Sequence, residues 1–202
     1  ARGGRDLAHQ ADGIRARAHL TAMEPQELDP RLHFVVATAI IVKPRTSSPP
    51  ANGTGQGRQV FEYLIARRSE REKAFPGKWT VPGGKLVTSE YRDLPKSVRD
   101  YDGWYGLVDW LVRKEVREEV GLEIGPIGYV TDVVFFRPDG YPVVTLSFWA
   151  PWASGEVTLG QDLTDYAWVT LAEAKGYDLI EGIGDEIRIV DDRLRKNQGA
   201  AA

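Results

Sequence analysis

The stretch Asp109–Leu122, D-W-L-V-R-K-E-V-R-E-E-V-G-L, constrains this chain more than any other. Val112, Val116 and Val120 recur every four residues, which predicts a helix with one apolar stripe to bury. Glu115, Glu118 and Glu119 stand at i, i+3 and i+4, so their carboxylates share a different face. Gly121 follows the last turn, where a left-handed residue commonly closes a helix. Like charges on adjacent turns repel unless something cationic lies among them. Taken alone, such a face is a solvated glutamate surface with Lys114 and Arg117 as partners. A hard divalent cation such as Mg²⁺ or Mn²⁺, which prefers oxygen ligands, would also supply the missing positive charge, a reading that needs support from the rest of the chain.

The elements around this helix read mainly as strands. His33–Lys43 is rich in β-branched residues and predicts a buried strand that Pro44 stops. Residues 45–58 are a Pro/Gly/Ser/Thr loop with little to bury, expected to be flexible, and Gln59–Ala66 returns as a second strand. Tyr129–Phe136 and Tyr141–Ala150 flank the turn Arg137-Pro-Asp-Gly140, and Asp165–Val169 forms an edge of the core. Ile183–Leu194 carries apolar residues at helical spacing. Strands mixed with a few helices indicate an α/β or α+β sandwich. Residues 1–31 form a polar, Arg-rich arm with a weak helical pattern, and 197–202 read as a tail. Met23 offers a natural start, which would make residues 1–22 added sequence.

Composition narrows the chemistry. The absence of cysteine excludes disulfides, thiolate nucleophiles, zinc ribbons and iron–sulfur clusters, so a metal must be held by oxygen, with at most a stray histidine. The chain has 26 Lys+Arg against 29 Asp+Glu, a net charge of −3, and no overall field that would draw it to nucleic acid or an anionic membrane. No apolar run approaches the roughly 18–20 residues of a membrane span, and the N-terminal arm lacks a signal-peptide core. A cytoplasmic location is the expectation.

Upstream of the helix lie Lys78-Trp-Thr-Val-Pro-Gly-Gly-Lys-Leu86 and Glu90. With Glu115, Val116, Glu118, Glu119, Gly121 and Leu122, these residues resemble the Nudix hydrolase signature: a Gly, five residues, a Glu, seven residues, then R-E-U-x-E-E-x-G-U, with U a bulky aliphatic. Gly84 and Glu90 keep the five-residue spacing, and the W-x-x-P-G-G lead-in is also similar to the family. Two departures stand out. The spacer from Glu90 to Lys114 has 23 residues, an insertion of 16 falling within 91–106, and Lys114 occupies the place of the usual Arg. Lysine lacks the planar fork with which arginine orients carboxylates.

The resemblance implies a Nudix-like α/β/α sandwich with a mixed β-sheet. It implies that Glu115 and Glu119 are the leading ligands for Mg²⁺ or Mn²⁺, that Glu118 is a third ligand or orients one, and that the backbone carbonyl near Gly84 joins the metal shell. Glu90 would stabilise the loop. The general base would be one of these glutamates or Asp162, six residues before Trp168. Arg67 and Arg68 end the second strand as candidate phosphate ligands, or as surface charge at a sheet edge. Tyr91, Tyr101, Trp104 and Tyr105 either contact a base or pin the insertion to the core. His9, His19 and His33 lack metal-ligand spacing. The implied activity is pyrophosphate hydrolysis in a nucleoside diphosphate linked to another moiety, first a nucleoside triphosphate or related small nucleotide. ADP-ribose and sugar nucleotides are the alternative, and an inactive nucleotide-binding module is the competing class. The expected partner is a small nucleotide, with a homodimer an allowed assembly and neither nucleic acid nor a membrane expected.

Overall fold

The computed structural model describes residues 31–45, 59–137 and 140–200. The N-terminal arm up to residue 30, most of the loop at 45–58 and the end of the tail at 201–202 lie outside the described residues. The strands are β1 (Phe34–Pro44), β2 (Phe61–Arg68), β3 (Trp79–Thr80), β4 (Gly83–Lys85), β5 (Glu123–Ile124), β6 (Gly128–Phe136), β7 (Pro142–Ser154) and β8 (Leu163–Val169). The helices are α1 (Thr88–Tyr91), α2 (Leu107–Val120), α3 (Leu171–Ala174) and α4 (Ile183–Ala200). The sheet is mixed, because β1 runs parallel to β7 while its other edge pairs antiparallel with β4 and β2. The last helix continues to Ala200, so residues 197–200 are helical where composition alone suggests a tail.

Alternation along β1 divides the core in two. Ala37, Ala39 and Ile41 face α2 and meet Leu111, Val112, Val116 and Val120. Ile40 and Val42 face α4 and meet Tyr63, Ile65, Ile187 and Val190. Period-two strands thus supply one apolar row to each helix, which is the physical basis of the three layers. Gly121 closes α2 at φ 68°, and its N–H bonds to the Arg117 carbonyl at 3.1 Å. Inside the second core Tyr63 donates to Asp191 at 2.8 Å, and Arg195 also bonds Asp191. Burial and that carboxylate hold the Tyr63 phenol well above its usual range. Among the described residues no helix is long and apolar enough to cross a membrane.

Candidate active site

The glutamate face of α2 meets the sheet at β4. Gly84 lies opposite Ala37 and Gly83 opposite Thr38 in the β1–β4 ladder. A Cβ at Gly84 would come within 3.0 Å of the Glu115 carboxyl atoms, so only glycine lets this carboxylate lie against the strand. The Gly83 N–H donates to Glu119 Oε2 at 2.9 Å across 36 residues of sequence. Sequence reasoning singled out the backbone at Gly84 and missed Gly83 as a donor. The paired glycines of the V-P-G-G turn were the available signal.

Burial dominates the electrostatics. Glu119 is pushed up to about 7, chiefly by desolvation, with the nearby carboxylates of Glu115 and Asp162 adding to the rise. The Gly83 N–H and the charge of Arg68 oppose it. Glu115 is also raised by burial, and Lys114 works in the other direction. Lys114 Nζ reaches Glu90 at 3.3 Å, Glu115 at 3.1 Å and Glu118 at 2.8 Å. One ammonium therefore ties both halves of the signature together, with its three donors aimed at three carboxylates.

The three helix glutamates do not play equal parts. The Glu118 side chain is 59% exposed and turned to Lys114, whereas that of Glu115 is 13% exposed and packed on Gly84. Among the described residues no three acidic or histidine side chains converge closely enough to hold a metal. The donor chemistry of Glu115, Glu119 and the adjoining backbone nevertheless fits a hard divalent cation. Two oxygen-bearing groups are crowded together where burial disfavours both charges, and a cation would reverse that penalty.

The β7–β8 loop brings the remaining acidic candidate alongside. The Gly160 N–H bonds to the Glu119 carbonyl at 2.8 Å, and the Ser69 N–H bonds to the Asp162 carbonyl at 2.8 Å. Asp162 is exposed, and its charge bears on Glu119. Arg67 and Arg68 lie at a register shift between β2 and β8, and both turn into the 69–78 loop. Arg67 bonds the Gly77 carbonyl at 3.1 Å and Glu70 at 2.9 Å. Arg68 bonds the Ala74 carbonyl at 2.9 Å and Glu72 at 2.5 Å. Neither guanidinium is directed by these bonds into the glutamate cluster, although the Arg68 charge bears on Glu119.

The insertion at 91–106 is pinned rather than loose. Trp104 Nε1 donates to the Leu94 carbonyl at 3.1 Å, and its ring meets Tyr91 edge-on at 5.2 Å. Tyr101 and Tyr105 remain exposed. His33 is exposed at the start of the sheet, and His9 and His19 lie outside the described residues.

A mixed sheet between α2 and α4, with two glutamates of α2 packed on a diglycine strand, defines the Nudix fold. The NUDIX domain of Shewanella oneidensis NrtR, solved with ADP ribose, matches at a TM-score of 0.57 with 16% identity. That match covers 81% of this chain and 89% of the other. A MutT NUDIX hydrolase from Burkholderia pseudomallei matches at 0.54 with 18% identity, covering 79% and 98%. In sequence, the nucleoside triphosphatase NudI of Klebsiella pneumoniae strain 342 is 28% identical over 127 residues, 58% of this chain and 79% of its own length. The protein of that name from Escherichia coli K12 is 26% identical over the same span. No family model matches. In fold and in sequence the chain is similar to the Nudix hydrolases.

Proposed function

We propose that this enzyme hydrolyses a pyrophosphate bond in a nucleotide with the help of Mg²⁺ or Mn²⁺, and that nucleoside triphosphates or related small nucleotides are its preferred substrates. The observation that carries the reading is the pairing of Glu119 with the Gly83 N–H and of Glu115 with Gly84, which builds a buried acidic edge beside the sheet. The relatives named nucleoside triphosphatase NudI support the choice of substrate.

Glu115, Glu119 and the backbone at Gly84 are the groups that would hold the ion. When bound, such an ion supplies charge neutralisation on the phosphate oxygens and makes a water more acidic. The Gly83 N–H fixes one oxygen of Glu119, leaving the other to face the reaction. Lys114 holds Glu115 and Glu118 in place through its hydrogen bonds. Asp162 stands beside Glu119 as the group to take a proton from the attacking water, on a loop anchored at both Glu119 and Ser69. Arg67 and Arg68 act by holding the 69–78 loop, and phosphate contact would require them to exchange those partners.

The test is release of phosphate or pyrophosphate from a nucleotide panel, with and without Mg²⁺, and with the products identified. Turnover that disappears with chelator and returns with metal is expected. No turnover on any substrate while metal still binds would overturn the reading in favour of a binding module.

A further inference from the structure

Strand β6 lies at one side of the sheet, away from the acidic site. It pairs with β7 along one edge and, among the described residues, with no strand along the other. The two halves of that outer edge differ. In the first half the β6–β7 register shifts between Tyr129 and Thr131, and Arg193 of α4 donates to the Tyr129 and Val130 carbonyls at 2.6 and 2.9 Å. A bulge and a covering side chain are two of the devices that keep an edge strand from pairing with another chain. The second half, Asp132–Phe136, shows neither. Its exposed side chains are mostly apolar, with Val133 at 42%, Val134 at 59% and Phe136 at 76%. The one charged residue of the strand, Asp132, accepts a hydrogen bond from the Tyr129 hydroxyl.

The β6–β7 turn sets which backbone groups face outward. The Arg137 N–H bonds to the Tyr141 carbonyl at 3.0 Å, and bonded and non-bonded pairs alternate from there along an antiparallel ladder. Phe136 opposite Pro142 is then a non-bonded pair, which suits a proline with no N–H to give. Phe135 opposite Val143 is a bonded pair, and the alternation continues through Val134 and Val133. Asp132, Val134 and Phe136 therefore turn their N–H and C=O groups to the open edge. The Thr131 hydroxyl reaches one of these groups, the Asp132 carbonyl, at 3.4 Å.

Outward groups in alternation call for another strand, and an antiparallel strand of the same sequence complements this edge about a two-fold axis. A second copy is also the one partner present at the protein's own concentration.

We propose that Asp132–Phe136 is a self-association edge, on which a second copy of this chain pairs antiparallel about a two-fold axis at Val134. In that register Val134 meets Val134 of the partner subunit, and Asp132 lies opposite Phe136 of the partner subunit. About six backbone hydrogen bonds then cross the seam. On the other face Val133 lies opposite Phe135 of the partner subunit, and β-branched–aromatic pairs of this kind stabilise a ladder. Phe135 is backed by Phe75 of its own chain, with 6.5 Å between ring centroids. The two Asp132 carboxylates sit roughly 13 Å apart along the seam at about 3.3 Å per residue, beyond the screening length at physiological salt. Sliding the partner towards the bulge would bring these charges together and run into the carbonyls that Arg193 covers, so the register is selected. A pairing this short falls below the roughly 1,200–2,000 Å² of stable complexes. The dimer is therefore weak, with a dissociation constant on the order of 10 µM.

Sedimentation velocity on the full chain from about 1 to about 200 µM is expected to show monomer giving way to dimer. Val134→Lys puts a charge on the edge at an exposed position and is expected to weaken association roughly tenfold or more, with thermal unfolding close to wild type. The chain has no cysteine, so a single introduced one reports the register directly. Val134→Cys is expected to form a disulfide-linked dimer under mild oxidation, because facing residues of a bonded pair lie about 5.5 Å apart at Cα. Asp132→Cys, also exposed, is expected to stay uncrosslinked, its two Cα atoms lying beyond disulfide reach. Hydrogen exchange at the Val134 and Phe136 amides is expected to slow as concentration rises. A monomer across the whole range, a dimer that Val134→Lys leaves unchanged, or Asp132→Cys crosslinking as fast as Val134→Cys would overturn the proposal. Slow exchange of those amides in the monomer would do the same, since another part of the same chain would then cover the edge.

Discussion

Glu119→Gln separates the stability of this protein from its chemistry, and the size of the effect follows from the site. In the unfolded chain this carboxyl titrates near 4.5, and in the folded chain near 7. At about 1.4 kcal/mol per tenfold change in proton affinity, that rise corresponds to about 3 kcal/mol. Below pH 4.5 both states hold the proton and the group has no effect on folding. Between 4.5 and about 7 the unfolded chain releases a proton that the folded chain keeps, so stability falls as pH rises. Above 7 the metal-free fold carries the full penalty of a buried charge. Glutamine removes that charge and still offers an oxygen to the Gly83 N–H. The variant should match wild type at about pH 4.5 and exceed it by about 3 kcal/mol at pH 8 in chelator. Urea unfolding at the two pH values measures this, and contributions from other titrating groups cancel in the difference. Turnover should fall by about 10²-fold or more in the same variant, and Mg²⁺ should stabilise wild type but not the variant. A stability difference that is the same at both pH values, or wild-type turnover, would refute the account of Glu119.

Other perturbations test neighbouring links. Gly84→Ala should push the Glu115 carboxylate off the strand, lowering metal affinity and turnover while unfolding shows about 1–3 kcal/mol of overpacking strain. Isothermal titration with Mn²⁺ checks the first effect and urea unfolding the second. Gly121→Ala places a side chain at φ 68° with its Cβ 3.1 Å from that of Thr158, and should cost about 1–2 kcal/mol in chemical unfolding. Lys114→Arg should retain kcat/KM, whereas Lys114→Met leaves Glu90, Glu115 and Glu118 without their shared cation and should lose roughly tenfold. Deleting 92–103 should change substrate preference or self-association, read by the nucleotide panel and by light scattering. A silent deletion would reduce the insertion to a pinned loop.

Much of the fold was legible because it is local. The β-branched run at 33–43 and the four-residue valine repeat of α2 state their own periods, and both elements form there. The small elements were not legible. Strands β3, β4 and β5 are two or three residues long, too short for a period, and exist because a partner strand supplies their hydrogen bonds. Arg67 and Arg68 show a similar limit. Their position at the end of β2 was readable, but their partners lie in a loop whose path depends on the strands at its two ends.

By itself, then, the sequence determined the order of carboxylates on one helix, the glycines upstream and the helix stop at Gly121, since spacing within an element sets which side chains share a face. Only the tertiary structure decided which of those carboxylates is buried. Glu119 and Glu118 are adjacent in the chain, yet one meets the Gly83 N–H while the other lies exposed against Lys114. It likewise decided that Glu186 would face Ser147 with one carboxyl oxygen left without a hydrogen-bond partner among the described residues. Desolvation and hydrogen-bond partnership depend on what packs against a group from far along the chain, and no local pattern carries that information.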